Sequence, residues 1–280
     1  MLWRTALLVI AMAGVAHAEP ARWEALPLPP AMPPAASNGH VEVAGAQIYY
    51  ATYGAKESRP VVLLHGGMGN ADHWGFQVPA LAGRFRVIVI DSRGQGRSTL
   101  ADGKLTYHAM ADDVLAVMDA LSVKAAAIVG WSDGGEIALD LAVNHPDRVS
   151  KLFVFGANYD IRGSKPRKKG SATFTAYAAK CRADFAKIAP DPRAYDVTAS
   201  ALLPVWRDPK LFTKEQLQSI QAPTLVADGD HDEIIALDQV KEMATLIPNA
   251  RLVVFRDASH FALWQDPAAF NAALVDFLSH

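Results

Sequence analysis

Cysteine is almost absent: the 280 residues hold one, Cys181. No intramolecular disulfide can form, so the fold must stand on its own packed core. Cys181 lies in a helical-looking stretch with no histidine near it in sequence, and it reads as a buried thiol rather than a nucleophile. Charge of one sign is lacking as well. Twenty-seven basic residues stand against 29 acidic ones, a formal net charge of −2. The electrostatic footprint that nucleic acid or an anionic membrane surface would need is therefore missing. The apolar stretch that opens the chain, Thr5 to Val15, is too short for a comfortable membrane span. It follows a short cationic start, Met1–Arg4, and precedes the small-x-small site Ala16-His17-Ala18. Residues 1–18 thus read as a signal peptide cleaved after Ala18, which places the mature chain in the periplasm or outside the cell. No cysteine follows the apolar stretch, which excludes a lipoprotein anchor.

What is present is an ordinary globular composition, 51% hydrophobic and 20% charged, long enough for one generous α/β domain. Residues 19–39 hold six prolines and read as an extended arm, since proline cannot donate to a strand ladder. Two strands are expected at His40–Val43 and Gln47–Tyr53, joined by a tight hairpin at Ala44-Gly45-Ala46. Pro60–Leu64 and Phe85–Asp91 are continuous apolar runs, the mark of strands buried on both faces. Helices are expected from about Ala71 to Ala82 and over Thr106–Leu121. Strands at Val149–Phe155, Pro223–Ala227 and Ala250–Phe255 alternate with helices at Leu237–Ile247 and Pro267–Ser279. Such alternation implies a mostly parallel, doubly wound sheet covered on both faces. The rhythm stops between about 157 and 222, which reads as a small helical cap inserted over the strand ends, where such sheets bind ligands. The domain spans 40–280.

The densest signal is Gly130-Trp131-Ser132-Asp133-Gly134. The buried run Ala125–Val129 precedes it and a helix from Gly135 follows. A serine flanked by glycines at a strand-to-helix turn is a nucleophile elbow, with its hydroxyl lifted over the sheet edge at a helix N-terminus. Serine needs a base to take its proton, and the base needs an acid to orient it. Downstream, Asp228, Asp230 and Asp232 share the loop after one late strand. Among nine histidines, His260 follows the last strand directly; His231 lies earlier, between the acid candidates. The oxyanion that forms on attack needs two backbone N–H donors. The amide of Asp133 and that of a residue in the His65-Gly66-Gly67 turn, Gly67, are the candidates.

In that order, the His-Gly-Gly turn, Asp91-Ser92-Arg93-Gly94-Gln95-Gly96-Arg97-Ser98, the elbow, the acid loop and His260 resemble the α/β-hydrolase superfamily, over nearly the whole chain beyond the proline arm. The resemblance implies the α/β-hydrolase fold. It selects Asp232 as the acid, at the end of Pro223-Thr224-Leu225 and the glycine-containing loop that follows. It makes His65 a packing residue. It also implies a Ser132–His260–Asp232 triad with no cofactor and no metal, acting on a small-molecule ester. Dehalogenases and epoxide hydrolases of this fold use an aspartate nucleophile, which Ser132 argues against. Gly-Trp-Ser-Asp-Gly-Gly, with Phe155-Gly156-Ala157-Asn158, is similar to the valacyclovir-hydrolase-like group. There the acid beside the nucleophile meets a substrate amine, which would give Asp133 a second role beside its favourable place at a helix N-terminus. Met68 and Trp131 are further candidate substrate contacts. Other aromatics, among them Phe153, Phe174, Tyr177 and Trp206, are candidates for an acyl pocket, most of them as core. The basic run Lys165, Arg167, Lys168 and Lys169 reads as a solvated loop. Alternatives on the same triad are an aminopeptidase, a lactonase or a carbon–carbon bond hydrolase. Outside enzymes, the alternative is a catalytically silent binding module.

Overall fold

The structure, a computed structural model, describes residues 20–166, 171–208 and 211–280. The expected signal peptide and Arg167–Lys169 of the basic run lie outside the described residues.

Eight strands form one sheet. In chain order they are β1 (Ser37–Val43), β2 (Ala46–Tyr53), β3 (Pro60–Leu64), β4 (Arg86–Ile90), β5 (Ala126–Trp131), β6 (Val149–Phe155), β7 (Thr224–Gly229) and β8 (Ala250–Phe255). Across the sheet they run β1-β2-β4-β3-β5-β6-β7-β8. The β1–β2 and β2–β4 pairs are antiparallel and all later pairs parallel. Val43 pairs with Ala46, so the hairpin loop is the two residues Ala44 and Gly45, both at positive φ (46° and 80°). That backbone matches the twist of the strands it joins. The continuous apolar runs are the central strands, and every residue of β5 is buried.

Helices α1 (Gln77–Leu81), α2 (Tyr107–Ala120), α3 (Asp133–Asn144), α7 (Leu237–Leu246) and α9 (Pro267–Ser279) flank the sheet. α2 packs on α3, and α1 on α9. Thr106 caps α2 by accepting from the Ala109 amide, and Pro267 opens α9 behind the cap Asp266. Both are helix-start chemistry visible in the sequence. Between β6 and β7 the described chain holds α4 (Ala172–Ile188), α5 (Tyr195–Trp206) and α6 (Lys214–Gln218), and no strand. A short helix, α8 (Ala262–Gln265), follows β8.

Two expectations change. β1 begins at Ser37, inside the stretch read as arm, because Ser37 pairs with Thr52 across the hairpin. The helix expected over Ala71–Ala82 is broken into a 3₁₀ turn, Ala71–Trp74, and α1. The break falls at Gly75, where a Cβ would run into the Pro30 carbonyl. The proline arm crosses there, and only glycine lets the two backbones approach.

The arm is pinned elsewhere too. Arg22 donates to the carbonyls of Arg256 (2.5 Å) and Asp257 (3.0 Å) and pairs with Asp266 at 2.6 Å. Trp23 stacks on His231 with ring centroids 3.8 Å apart. Gln265 donates to the Ala25 carbonyl. Among the described residues no helix is long and apolar enough to cross a membrane.

Candidate active site

Ser132 sits between the end of β5 and the start of α3 with φ 54° and ψ −124°. An L residue rarely adopts this backbone, and holding it there costs about 1–3 kcal/mol. The surroundings enforce it. The Ser132 amide donates to the Phe155 carbonyl at 2.9 Å. A Cβ at Gly130 would run into the Gly134 backbone, and one at Gly134 into the Leu64 carbonyl. The turn is therefore as tight as the motif requires.

Of the three acid candidates, the structure brings only Asp232 to His260. Nδ1 of the imidazole lies 2.6 Å from Asp232 Oδ2, with the two side chains 5% and 0% exposed. The other carboxylate oxygen, Oδ1, accepts from the Ile234 and Ile235 amides at 2.6 and 2.7 Å. Burial opposes the charge on Asp232, but the imidazole and these donors outweigh it and hold its pKa below the usual value. Burial likewise opposes the imidazolium, and the Asp232 carboxylate outweighs it and holds the His260 pKa above its ordinary 6.5. Asp230 instead accepts from the Ala258 amide and touches His231. Asp228 is wholly buried beside Asp232, which together with burial keeps its carboxyl protonated far above the ordinary range. His260 is placed from two more directions. Its amide donates to Glu233 Oε2, and its carbonyl accepts from the Trp131 indole at 3.0 Å.

The His65-Gly66-Gly67 turn faces the elbow. The Gly69 amide closes it on the Gly66 carbonyl at 2.9 Å, and Met68 takes φ 59°. His65 Nδ1 donates to the Gly66 carbonyl while Nε2 accepts from the Ser92 amide. Full burial drives its pKa down to about 3. It is thus a neutral packing residue, as the resemblance implies. Below the turn, Asp91 accepts from the Ala71 and Arg97 amides and from the Arg97 guanidinium. From above, Tyr177 of α4 donates its hydroxyl to the Gly67 carbonyl at 3.0 Å. A Cβ at Gly67 would lie 2.7 Å from Asp133 Oδ2 and 3.0 Å from the Trp206 ring, so this position has no room for a side chain.

Ser132, His260, Gly67, Met68, Trp131 and Asp133 all border one cavity of about 350 Å³, a volume suited to a small molecule. Trp131 is only 1% exposed; it is packed edge-on by Tyr177, Phe261 and Trp264, so it forms the cavity floor rather than a free contact. Helices α4 and α5 supply the roof, including Phe174, Tyr177 and Trp206. Phe153 is elsewhere, against Phe270 and Phe277. Cys181 borders the cavity as a buried thiol, its pKa pushed up to about 12 by burial.

Asp133 is 7% exposed. Its Oδ2 accepts from the Trp206 indole at 2.8 Å, and Tyr107 faces the same carboxylate. Burial raises its pKa to about 6. A second carboxyl, Glu136, stands beside it on the cavity wall. Sequence reasoning passed over Glu136, although its place three residues after Asp133 on one helix puts both on one face. Among the described residues no cluster of three or more histidine, cysteine, aspartate or glutamate side chains is arranged to hold a metal ion.

A family model described as the alpha/beta hydrolase fold matches residues 59–189 and 199–267. The chain belongs to this family. The α/β-hydrolase is similar to RutD of Caulobacter sp. strain K31, whose name marks it as a candidate carbamate hydrolase. The two are 33% identical over 263 residues, covering 83% of this chain and 96% of that one. It is 27% identical to a 2-hydroxy-6-oxononadienedioate/2-hydroxy-6-oxononatrienedioate hydrolase of Comamonas testosteroni, over 81% and 90% of the two chains. Among solved structures it resembles Est816, described as an N-acyl homoserine lactone degrading enzyme. That match has a TM-score of 0.68 and 34% identity, and covers 85% of this chain and 99% of that one.

Proposed function

We propose that this hydrolase cleaves the carboxylic ester of a small molecule through an acyl-enzyme. The observation that carries the reading is the Asp232–His260 contact, 2.6 Å long, on the wall of the cavity that Ser132 also borders. Ser132 attacks the carbonyl carbon as His260 takes its proton, and Asp232 holds the imidazole in the tautomer that can accept it. The amides of Gly67 and Asp133 hold the oxyanion. His260 returns the proton to the leaving alcohol, then water repeats the sequence on the acyl-enzyme. Helices α4–α6 act as the cap that selects the acyl group.

The cavity favours some acyl groups over others. It carries the two carboxyls Asp133 and Glu136, and the one lysine of its described lining, Lys165, is engaged with the Asp232 carbonyl. A dianionic dioate would meet repulsion there, so a dioate carbon–carbon substrate is disfavoured. A lactone is an ester closed on itself and opens by the same steps, and the 34% identity to Est816 favours lactones as a second substrate class. Within esters, the Asp133 carboxylate favours an α-amino acyl group, as in the group that the elbow resembles.

The test is a panel of p-nitrophenyl esters, lactones and amides. Wild type should turn over at least one ester, and Ser132→Ala and His260→Ala should each lower kcat about 10³-fold or more. Equal inertness of all three proteins across the panel would return the binding-module reading.

A further inference from the structure

One carboxyl on the cavity wall has no part in the steps above. Glu136 is 3% exposed, and its Oε1 accepts from the Asn158 amide at 3.0 Å. Its Oε2 is buried and has no hydrogen-bond partner. A buried carboxyl oxygen without a partner is costly, and native structures rarely keep one without a use. The neighbouring Asp133 carboxylate already accepts from the Trp206 indole. The open acceptor position of the pair is therefore on Glu136, beside the elbow.

We propose that Glu136 and Asp133 form one cation subsite, in which Glu136 Oε2 receives a primary ammonium group carried by the acyl part of the substrate. The inference rests on the ester-hydrolase reading for what that ammonium is attached to, and it makes Glu136 the residue that determines specificity for it. A group with several N–H donors and a positive charge satisfies the orphaned oxygen and offsets the charge of the pair. A neutral acyl chain does neither.

Without an ammonium group beside it, the pair is expected to keep one proton. Burial, and then the charge of Asp133, pushes the Glu136 pKa well above the ordinary range, whereas burial raises that of Asp133 to about 6. Near neutral pH the expected charge of the pair is then one, on Asp133. The titratable groups facing the pair are Tyr107 from α2, Tyr177 from α4 and the His260 imidazole from the loop after β8. The Asn158 amide and the Trp206 indole complete its surroundings, and Lys165, on the same cavity wall, is engaged with the Asp232 carbonyl. When an ammonium group arrives, Glu136 ionises and its proton passes to solvent.

Calorimetric titration of the full protein at pH 7, with 2-phenylethylamine and with its neutral counterpart 2-phenylethanol, reads both parts. Repeating it in two buffers of different ionisation heat counts protons. Wild type should bind the amine about tenfold more tightly than the alcohol and release about one proton per amine. Glu136→Gln should bring the two ligands within about twofold and release none, and Glu136→Asp should restore part of the preference. The kcat/KM ratio of phenylalanine ethyl ester to ethyl 3-phenylpropanoate should fall in step. An amine no tighter than the alcohol on wild type, or a preference kept by Glu136→Gln, overturns the subsite. Should Glu136→Gln fail to fold, the wild-type proton count and Glu136→Asp decide. If the amine behaves as stated while no ester is cleaved, the subsite stands and the hydrolase reading falls.

Discussion

In the proposed mechanism His260 is the base, and its proton is held by its neighbour. It must be neutral to accept the Ser132 proton, and the Asp232 carboxylate holds its pKa above 6.5. On a neutral ester, kcat/KM should therefore fall on the acid side with a midpoint above pH 6.5. Asp232→Asn should move that midpoint down, because the charge that retains the proton is gone. It should also lower kcat about 10³- to 10⁴-fold, because the tautomer is no longer fixed. A pH–rate profile of both proteins checks this, and an acid limb that does not move would place the base elsewhere. The three residues of the proposed triad were legible because such a triad is an ordered pattern. The Gly-flanked Ser132, the loop ending in Asp232 and His260 after the last strand each narrow the others. Glu136 was not legible. In sequence it is one more acid in the first turn of a helix, where the helix dipole already accounts for it. Only the backbone brought over it from Asn158, 22 positions on, turns it into a cavity wall with a free acceptor.

At the scale of elements, α4 acts as a brace on the His65-Gly66-Gly67 turn, the proposed oxyanion site. Tyr177 holds the Gly67 carbonyl, while Asp184 of the same helix pairs with His73 at 3.1 Å, just beyond that turn. Tyr177→Phe keeps the ring and removes the donor. It should lower kcat about three- to tenfold with little change in KM, the size of one neutral hydrogen bond, in single-turnover and steady-state assays. A change in KM alone would mean that α4 shapes the acyl pocket and leaves the turn unaffected. Elements with strong local signals were read almost to the residue, as with β8 and α9, whose cap chemistry and periodicity agree. The helix expected over 71–82 was misread because its break has a tertiary cause. Gly75 in sequence is an ordinary helix weakness of about 1 kcal/mol; what breaks the helix is the Pro30 carbonyl packed against it. The helices over the cavity could be counted as irregular in sequence, but their register follows from side chains such as Trp206 reaching Asp133 across 73 positions.

At the scale of the molecule, the proline arm is a strap rather than a linker. It touches Gly75, the acid loop through Trp23 and His231, and the histidine loop through Arg22. Gly75→Ala should lift it from the body. Limited proteolysis should then cut within residues 21–35 much faster than in wild type, while far-UV circular dichroism stays that of a folded α/β sheet. Equal cutting rates would mean that the arm is held by its other contacts alone.

The same strap bears on the order of events in folding. Arg22 meets its partners across 234 to 244 residues of chain. Closing a loop of that length from a disordered chain costs about 5 kcal/mol in entropy, more than a few exposed hydrogen bonds return. The clasp therefore forms once the sheet has already brought its two ends together. The arm emerges early from the ribosome and is placed late, so the loops that carry Asp232 and His260 are braced last, over a sheet already complete.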